Sequence, residues 1–294
     1  MLGGPLPART ARVNPLRADR LYARTVADDR SIPMLAHDVA GRLGPGVPMV
    51  LLHAFPLERS IWSGVVGQLA AAGVAVITVD LPGLGDSPLP QGEPSLDVSA
   101  DAVVAVLDRL AVPRAVVCGV SMGGYVALAI ARRHPARLAG LGLIDTKAQA
   151  DAPEAKDNRE RIALAVLGEA GTRALAPMID GLLGPTSHAG RPQVVARVRA
   201  GLAAARPQGV AWSQRAMAAR PDMTGLLPAI GVPAAVLVGA EDALTPPQVA
   251  HDLAAGLPDA VLTVLSGAGH LSPMEDPDAV AGALLGLLLR IRRT

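Results

Sequence analysis

Ser121, Asp242 and His270 have the residue types, local surroundings and chain order required for nucleophilic acyl transfer. Ser121 is the centre of Gly119-Val-Ser-Met-Gly123. Residues 115–118 before it are a short, mostly β-branched apolar run suited to a strand buried on both faces. Residues 125–133 after it are rich in Ala and Leu and stop before Pro135, which reads as a helix. The serine therefore falls on the turn between them. A reversal from strand to helix within a few residues holds the nucleophile in a strained conformation and needs small neighbours, and Gly119, Gly123 and Gly124 supply the room. Once that turn forms, the Met122 amide lies at a helix N-terminus, where an N–H lacks an intrahelical acceptor and the dipole favours an anion. It then becomes an oxyanion donor. The competing reading of this window alone is a Ser-Gly loop capping an ordinary helix.

A nucleophilic serine needs a base, and the base needs an orienting carboxylate. The apolar run 234–238 reads as a buried strand and leads into Gly239-Ala-Glu-Asp242, leaving Asp242 on a loop. Glu241, or Asp145 at the end of the strand-like run 141–144, competes for the same role. A further strand-like run, 260–265, opens into Ser266-Gly-Ala-Gly-His-Leu271, where two glycines let His270 project over the sheet edge. His134 precedes a helix-ending proline, His188 lies in a polar loop, and His37 and His251 carry no flanking turn signal. His53 follows an apolar strand and reads as a structural residue shaping the next loop. The order serine, acid, histidine differs from that of chymotrypsin and subtilisin.

The elements that must position these groups alternate. Strands are expected near 47–52, 75–79, 115–118, 141–144, 234–238 and 260–265, with helices between most of them and an antiparallel strand pair around 31–40. That implies a mainly parallel sheet covered on both faces. From 146 to 227 no convincing strand occurs; helical patterns at 158–167, 194–204 and 210–219 are separated by Gly and Pro. The apolar run 279–289 is far short of the roughly 20 residues that span a bilayer, and is expected as the last helix packing on the sheet. Residues 1–30 are Arg-rich, contain several prolines and lack a signal-peptide core, so a flexible extension and a cytoplasmic protein are expected.

Composition excludes several classes. Lys+Arg 27 and Asp+Glu 26 give a net charge of +1, and no basic stripe is interleaved with aromatics, which argues against nucleic acid as a partner. A single cysteine permits neither an internal disulfide nor a thiolate metal site, and no His-x-x-x-His pair stands with a glutamate. No metal or organic cofactor is implied.

Taken together, His53-Ala-Phe-Pro-Leu57, Asp80-Leu-Pro-Gly-Leu-Gly-Asp-Ser87, Gly119-Val-Ser-Met-Gly123, Gly239-Ala-Glu-Asp242 and Gly267-Ala-Gly-His270 resemble the α/β-hydrolase superfamily. Within it the chain is most similar to the small bacterial group of 3-oxoadipate enol-lactonases, carboxylesterases and cofactor-free perhydrolases. The resemblance implies an eight-stranded, mainly parallel sheet with helices on both faces. It also implies a core of residues 31–147 and 228–294 and a helical cap, residues 148–227, inserted after strand 6. In such relatives the loop after the third strand reads His-Gly-x-Pro and its third residue donates an oxyanion N–H; carried over, Phe55 is that donor, beside Met122. Ala54 replaces the usual glycine. If that position requires a positive φ, alanine costs about 1 kcal/mol and shifts the Phe55 amide. The Asp80 to Ser87 stretch is expected to shape a tight turn without itself doing chemistry.

A cap should hold substrate choice, because the sheet sets the chemistry while the insertion roofs the pocket. Tyr125, Trp62, Met178, Trp212 and Met217 are the expected walls, and an apolar pocket follows. An enol-lactonase would in addition need a cation for the substrate carboxylate; Arg197, Arg199, Arg206 and Arg215 are unplaced candidates. The resulting expectation is a serine hydrolase that acts on a small to medium, largely apolar carboxylic ester or lactone. The alternatives are an enol-lactonase, a perhydrolase, a carbon–carbon bond hydrolase, or a ligand-binding receptor with slow or vestigial turnover.

Overall fold

The computed structural model describes Met1 and residues 34–291. The extension expected over residues 1–30 falls outside the described residues apart from Met1. Seven strands form one sheet: β1 (His37–Ala40), β2 (Met49–Leu52), β3 (Val76–Val79), β4 (Ala115–Val120), β5 (Leu138–Ile144), β6 (Ala234–Gly239) and β7 (Ala260–Leu265). Their order is β1-β3-β2-β4-β5-β6-β7, with β1 antiparallel to β3 and every other neighbour parallel. The strands from β2 to β6 are buried along their whole lengths, which accounts for their largely apolar sequences. Two groups of helices cover the sheet. In one, α2 (Leu96–Arg109) and α3 (Met122–Arg133) pack together, α3 lying on β2, β4 and β5; in the other, α1 (Ser63–Ala71) meets the C-terminal helix, which lies on β5 and β6.

The described residues hold seven strands where eight were expected. Among the described residues, one strand of the pair expected around 31–40 is found, and residues 31–33 lie outside them. The long connection follows β5, the fifth described strand. Its regular elements are all helical: α4 (Pro153–Leu167), a 3₁₀ stretch (Gly171–Met178), α5 (Ile179–Leu182), α6 (Pro185–Gly190), α7 (Pro192–Ala204), α8 (Pro207–Ala219) and a second 3₁₀ stretch (Thr224–Ala229). Three of these helices begin earlier than the apolar periodicity indicates, because Pro153, Pro192 and Pro207 each occupy the first helical position, where a missing N–H costs nothing. After β6 come α9 (Pro247–Gly256), α10 (Ser272–Glu275) and α11 (Pro277–Ile291), the expected last helix. No helix among the described residues is long and apolar enough to cross a membrane.

The helical connection rests on the loops that follow β2 and β3. Arg197 of α7 donates to the Ser60 carbonyl and the Ser63 hydroxyl, and Arg206 donates to the Gly85 and Ser87 carbonyls. Arg215 pairs with Glu160 on α4. Gly209 of α8 lies so close to Gly83 that a side chain at position 209 would overlap the Gly83 carbonyl. Gly209→Ala is therefore expected to destabilise the protein by about 1–3 kcal/mol, the usual cost of overpacking, seen as a lowered thermal midpoint. An unchanged midpoint would show that the contact is loose.

Candidate active site

The turn at Ser121 follows directly from its neighbours. Ser121 caps α3 with φ 53 and ψ −114, a left-handed backbone that a non-glycine residue adopts only when the surroundings enforce it. A side chain on Gly119 would overlap the backbone of Gly123, and one on Gly123 would overlap the Leu52 carbonyl at the end of β2. The serine backbone is held from both sides: its N–H donates to the Ile144 carbonyl at 2.9 Å, and its carbonyl accepts from Thr146 Oγ1 at 2.8 Å. Strand β4, strand β5 and helix α3 thus all meet at this one residue.

Three side chains from three separate segments converge there. His270 Nε2 lies 2.8 Å from Ser121 Oγ, and His270 Nδ1 lies 2.8 Å from Asp242 Oδ2. Asp242 also accepts from Thr245 Oγ1 at 2.6 Å and from the Leu244 and Thr245 amides at 2.8 and 2.9 Å. Burial would lower the His270 pKa, but the hydrogen bond and charge of Asp242, helped by Asp145 and Glu275, hold it above the ordinary imidazole value. Burial would likewise raise Asp242, and the hydrogen bond and charge of His270 with the Thr245 donors hold it below the usual carboxylate range. In the ground state the arrangement supports an Asp242 carboxylate, an imidazole that carries its proton on Nδ1, and a free Nε2 lone pair directed at the serine hydroxyl.

The competing carboxylates are engaged elsewhere. Glu241 accepts from the Thr186 amide and hydroxyl on α6. Asp145 is fully buried; it accepts from the Gly239 amide and from the Ser272 amide and hydroxyl, joining the ends of β5 and β6 to α10. Burial and then the nearby charge of Asp242 push its carboxyl up to about 7. His53 is buried and its pKa is lowered, chiefly by that burial; Nδ1 donates to the Ala54 carbonyl and Nε2 accepts from the Leu81 amide, so it ties two loops together as a neutral group. Asp80 accepts from the Asp86 amide at 2.8 Å and pairs with Arg59, closing the glycine turn.

Ala54 does not occupy the left-handed region, so it imposes no strain on Phe55. Among the described residues, neither the Phe55 nor the Met122 amide has an acceptor in the protein. Phe55, Ser121 and His270 open onto a cavity of about 310 Å³. Tyr125, Met178 and Met217 line it as expected, together with Leu182 and Leu244. Trp62 and Trp212 do not. Trp62, just before α1, is completely buried, and Trp212, on α8, is buried outside the lining. Nor is the cavity wholly apolar: Lys147, Asp151, Asn158, Arg159 and Gln214 form part of its wall. Arg197, Arg199, Arg206 and Arg215 are absent from it. These polar wall residues escaped the sequence reading because they lie in a segment read for apolar periodicity. Lys147 was nevertheless conspicuous as one of only two lysines in the chain.

Glu275 was missed as well. Its Oε1 accepts from the Gly269 and Leu271 amides on either side of His270, at 2.9 and 3.1 Å. Its Oε2 accepts from the Gly184 amide and the Ser187 hydroxyl of the helical connection, at 2.9 and 2.6 Å. One buried carboxylate thus fixes the histidine loop against the connection. Its position five residues after His270 was the available signal.

The model of the alpha/beta hydrolase family matches residues 49–283. The chain belongs to this family. It is 32% identical over 260 residues, 79% of this chain and 94% of the relative, to a pimeloyl-[acyl-carrier protein] methyl ester esterase from Aromatoleum aromaticum. Among solved structures, a thermophilic esterase from Thermogutta terrifontis, with malate bound, superposes with a TM-score of 0.84 at 39% identity, covering 87% of this chain and 93% of that one. The enol-lactonase from Burkholderia xenovorans LB400 superposes with a TM-score of 0.79 at 29% identity, covering 87% and 96%. Family membership thus agrees with the resemblance read from the five motifs, and the relatives include both esterases and a lactonase.

Glu275→Gln replaces two acceptor oxygens with one oxygen and an NH₂ that faces N–H or O–H donors. It is expected to lower the thermal midpoint and to reduce ester turnover about tenfold through disorder of the His270 loop, at the scale of a lost buried charged hydrogen bond. Unchanged stability and rate would show that the loop holds itself.

Proposed function

We propose that the protein is a serine hydrolase that cleaves small to medium carboxylic esters or lactones through an acyl-enzyme on Ser121. The observation that carries this reading is the unbroken chain of hydrogen bonds from Ser121 through His270 to Asp242, opening on a cavity in an alpha/beta hydrolase.

In the first half-reaction, His270 Nε2 takes the hydroxyl proton as Ser121 Oγ bonds to the ester carbonyl carbon. The tetrahedral oxyanion is met by the Phe55 and Met122 amides, donors that need no reorganisation because they have no other acceptor. Asp242 holds the ring and stabilises the imidazolium. Collapse breaks the bond to the leaving oxygen, which receives the proton from Nε2. Water then attacks the acyl-enzyme by the same route, His270 acting again as base, and the acid leaves with Ser121 restored. Residues 148–227 serve as the cap, with Met178 and Leu182 placed to contact the acyl or alcohol portion. The esterase and lactonase names among the relatives support this substrate class.

Hydrolysis of p-nitrophenyl esters of increasing acyl length tests the reading. Ser121→Ala is expected to lower kcat by about 10⁴-fold or more while leaving the fold intact, and comparable turnover in the variant would reject the nucleophile. A second test uses pH. His270 must be neutral to act, so kcat/KM should fall as pH drops through its pKa, which Asp242 holds above the ordinary imidazole value against the effect of burial. Asp242→Asn leaves burial as the dominant influence, and should move that acid limb to lower pH while cutting the maximal rate by orders of magnitude. An acid limb that stays in place would place the titrating group elsewhere.

A further inference from the structure

The cavity wall contains an uneven ion-pair cluster. Asp151 is buried, and three cations surround it: Arg159 in a direct pair, Arg220 at 3.0 Å and Lys147 at 3.2 Å. Burial would push the Asp151 carboxyl up, but the Arg159 and Arg220 guanidiniums hold it down at about 2, so it stays ionised. Even so, one carboxylate faces three fixed positive charges. Arg159 also donates to Gln214 Oε1 at 3.0 Å, and Arg220 donates to the Met217 and Gln149 carbonyls, stacks over the Tyr125 ring at 4.0 Å and feels the charge of the Asp222 carboxylate. With Asp222 counted, three cations meet two carboxylates, and one positive charge is left in excess beside the cavity that contains Ser121 and His270.

The three cations differ in what they still offer. Arg220 is almost fully buried and is committed to backbone carbonyls and the Tyr125 face. Arg159 and Lys147 both line the cavity, and their side chains remain about one-fifth and one-quarter exposed. Among the described residues, Asp151 is the only partner of Lys147, whose ammonium carries three donors. Asn158, on the same wall, adds an amide donor. A cluster built only to hold the fold would be neutral, because each uncompensated charge taken out of water raises its energy. An incoming anion removes that imbalance.

We propose that Lys147 and Arg159 form an anion subsite, and that the substrate is an ester or lactone carrying a carboxylate a few carbons from the scissile carbonyl. The proposal rests on the ester-hydrolase reading above and deepens it. The remote carboxylate would meet the Lys147 ammonium and the Arg159 guanidinium while the scissile carbonyl sits at Ser121. That turns binding energy far from the reacting atoms into orientation of the ester.

The test compares kcat/KM for p-nitrophenyl hemiglutarate and p-nitrophenyl valerate, which differ by the terminal carboxylate. The wild type is expected to prefer the charged ester at least tenfold at low ionic strength, with the preference shrinking as salt rises. In Lys147→Met, where Arg159 and Arg220 still neutralise Asp151, the ratio should fall to near one, and in Lys147→Glu it should invert. A wild-type ratio near or below one, or the same ratio in all three proteins, overturns the subsite while Ser121-dependent valerate hydrolysis stands. A readout free of turnover separates the two claims. Calorimetry on Ser121→Ala should show monomethyl glutarate binding more tightly than methyl valerate, with the difference lost in Ser121→Ala/Lys147→Met. Equal binding of the two esters overturns the subsite whatever the rate assays give.

Discussion

The contact of Gly119 with Gly123 leaves no space for a side chain, and the rest of the site is built around that closeness. It lets β4 turn into α3 within a few residues, forces Ser121 to φ 53, and presses the start of the helix against the end of β2. The strain at one residue is offset by the surrounding sheet: the Ser121 backbone is bonded to β5 and to Thr146, and β4 is buried along its whole length between β2 and β5. A strained turn on a rigid platform projects its side chain away from the sheet, and that is where His270 arrives.

Two buried carboxylates beside that turn are tuned in opposite directions. Asp242 takes hydrogen bonds from Thr245 and His270 and remains ionised, whereas Asp145, buried and facing the charge of Asp242, is pushed up to about 7. Two adjacent anions in a dry site repel each other, so the partner that holds the imidazole keeps its charge and the other absorbs the penalty. The division of labour follows: Asp242 sets the basicity of His270, while Asp145 and Glu275 act as acceptors that bind strand ends, the histidine loop and the helical connection together. The same reasoning makes Asp151 distinctive, because its surplus lies on the cationic side.

Much of this was legible in the sequence. The spacing around Ser121, and the loops ending in Asp242 and His270, predict which three side chains meet, because each follows a strand of a parallel sheet and strand ends of that kind gather at one edge. The strand positions themselves were readable from uninterrupted apolar runs. What escaped notice had physical causes. Prolines were read as separators, whereas Pro153, Pro192 and Pro207 open helices. Trp62 and Trp212 are expected in the pocket, yet large apolar side chains are as readily used to fill a core, and both are buried there. The charged wall and Glu275 went unseen because their partners are far away in the chain: Glu275 reaches Gly184, and Arg220 reaches Asp151, across separations that no local pattern records.

Rapid acid quenching of the protein with excess p-nitrophenyl ester, followed by mass spectrometry, reads the proposed covalent bond between Ser121 and the acyl group. A transient mass increase equal to the acyl group less one hydrogen is expected, located on the peptide that contains Ser121 and decaying as turnover completes. Turnover with no adduct at any quench time, or an adduct on another residue, would contradict that bond.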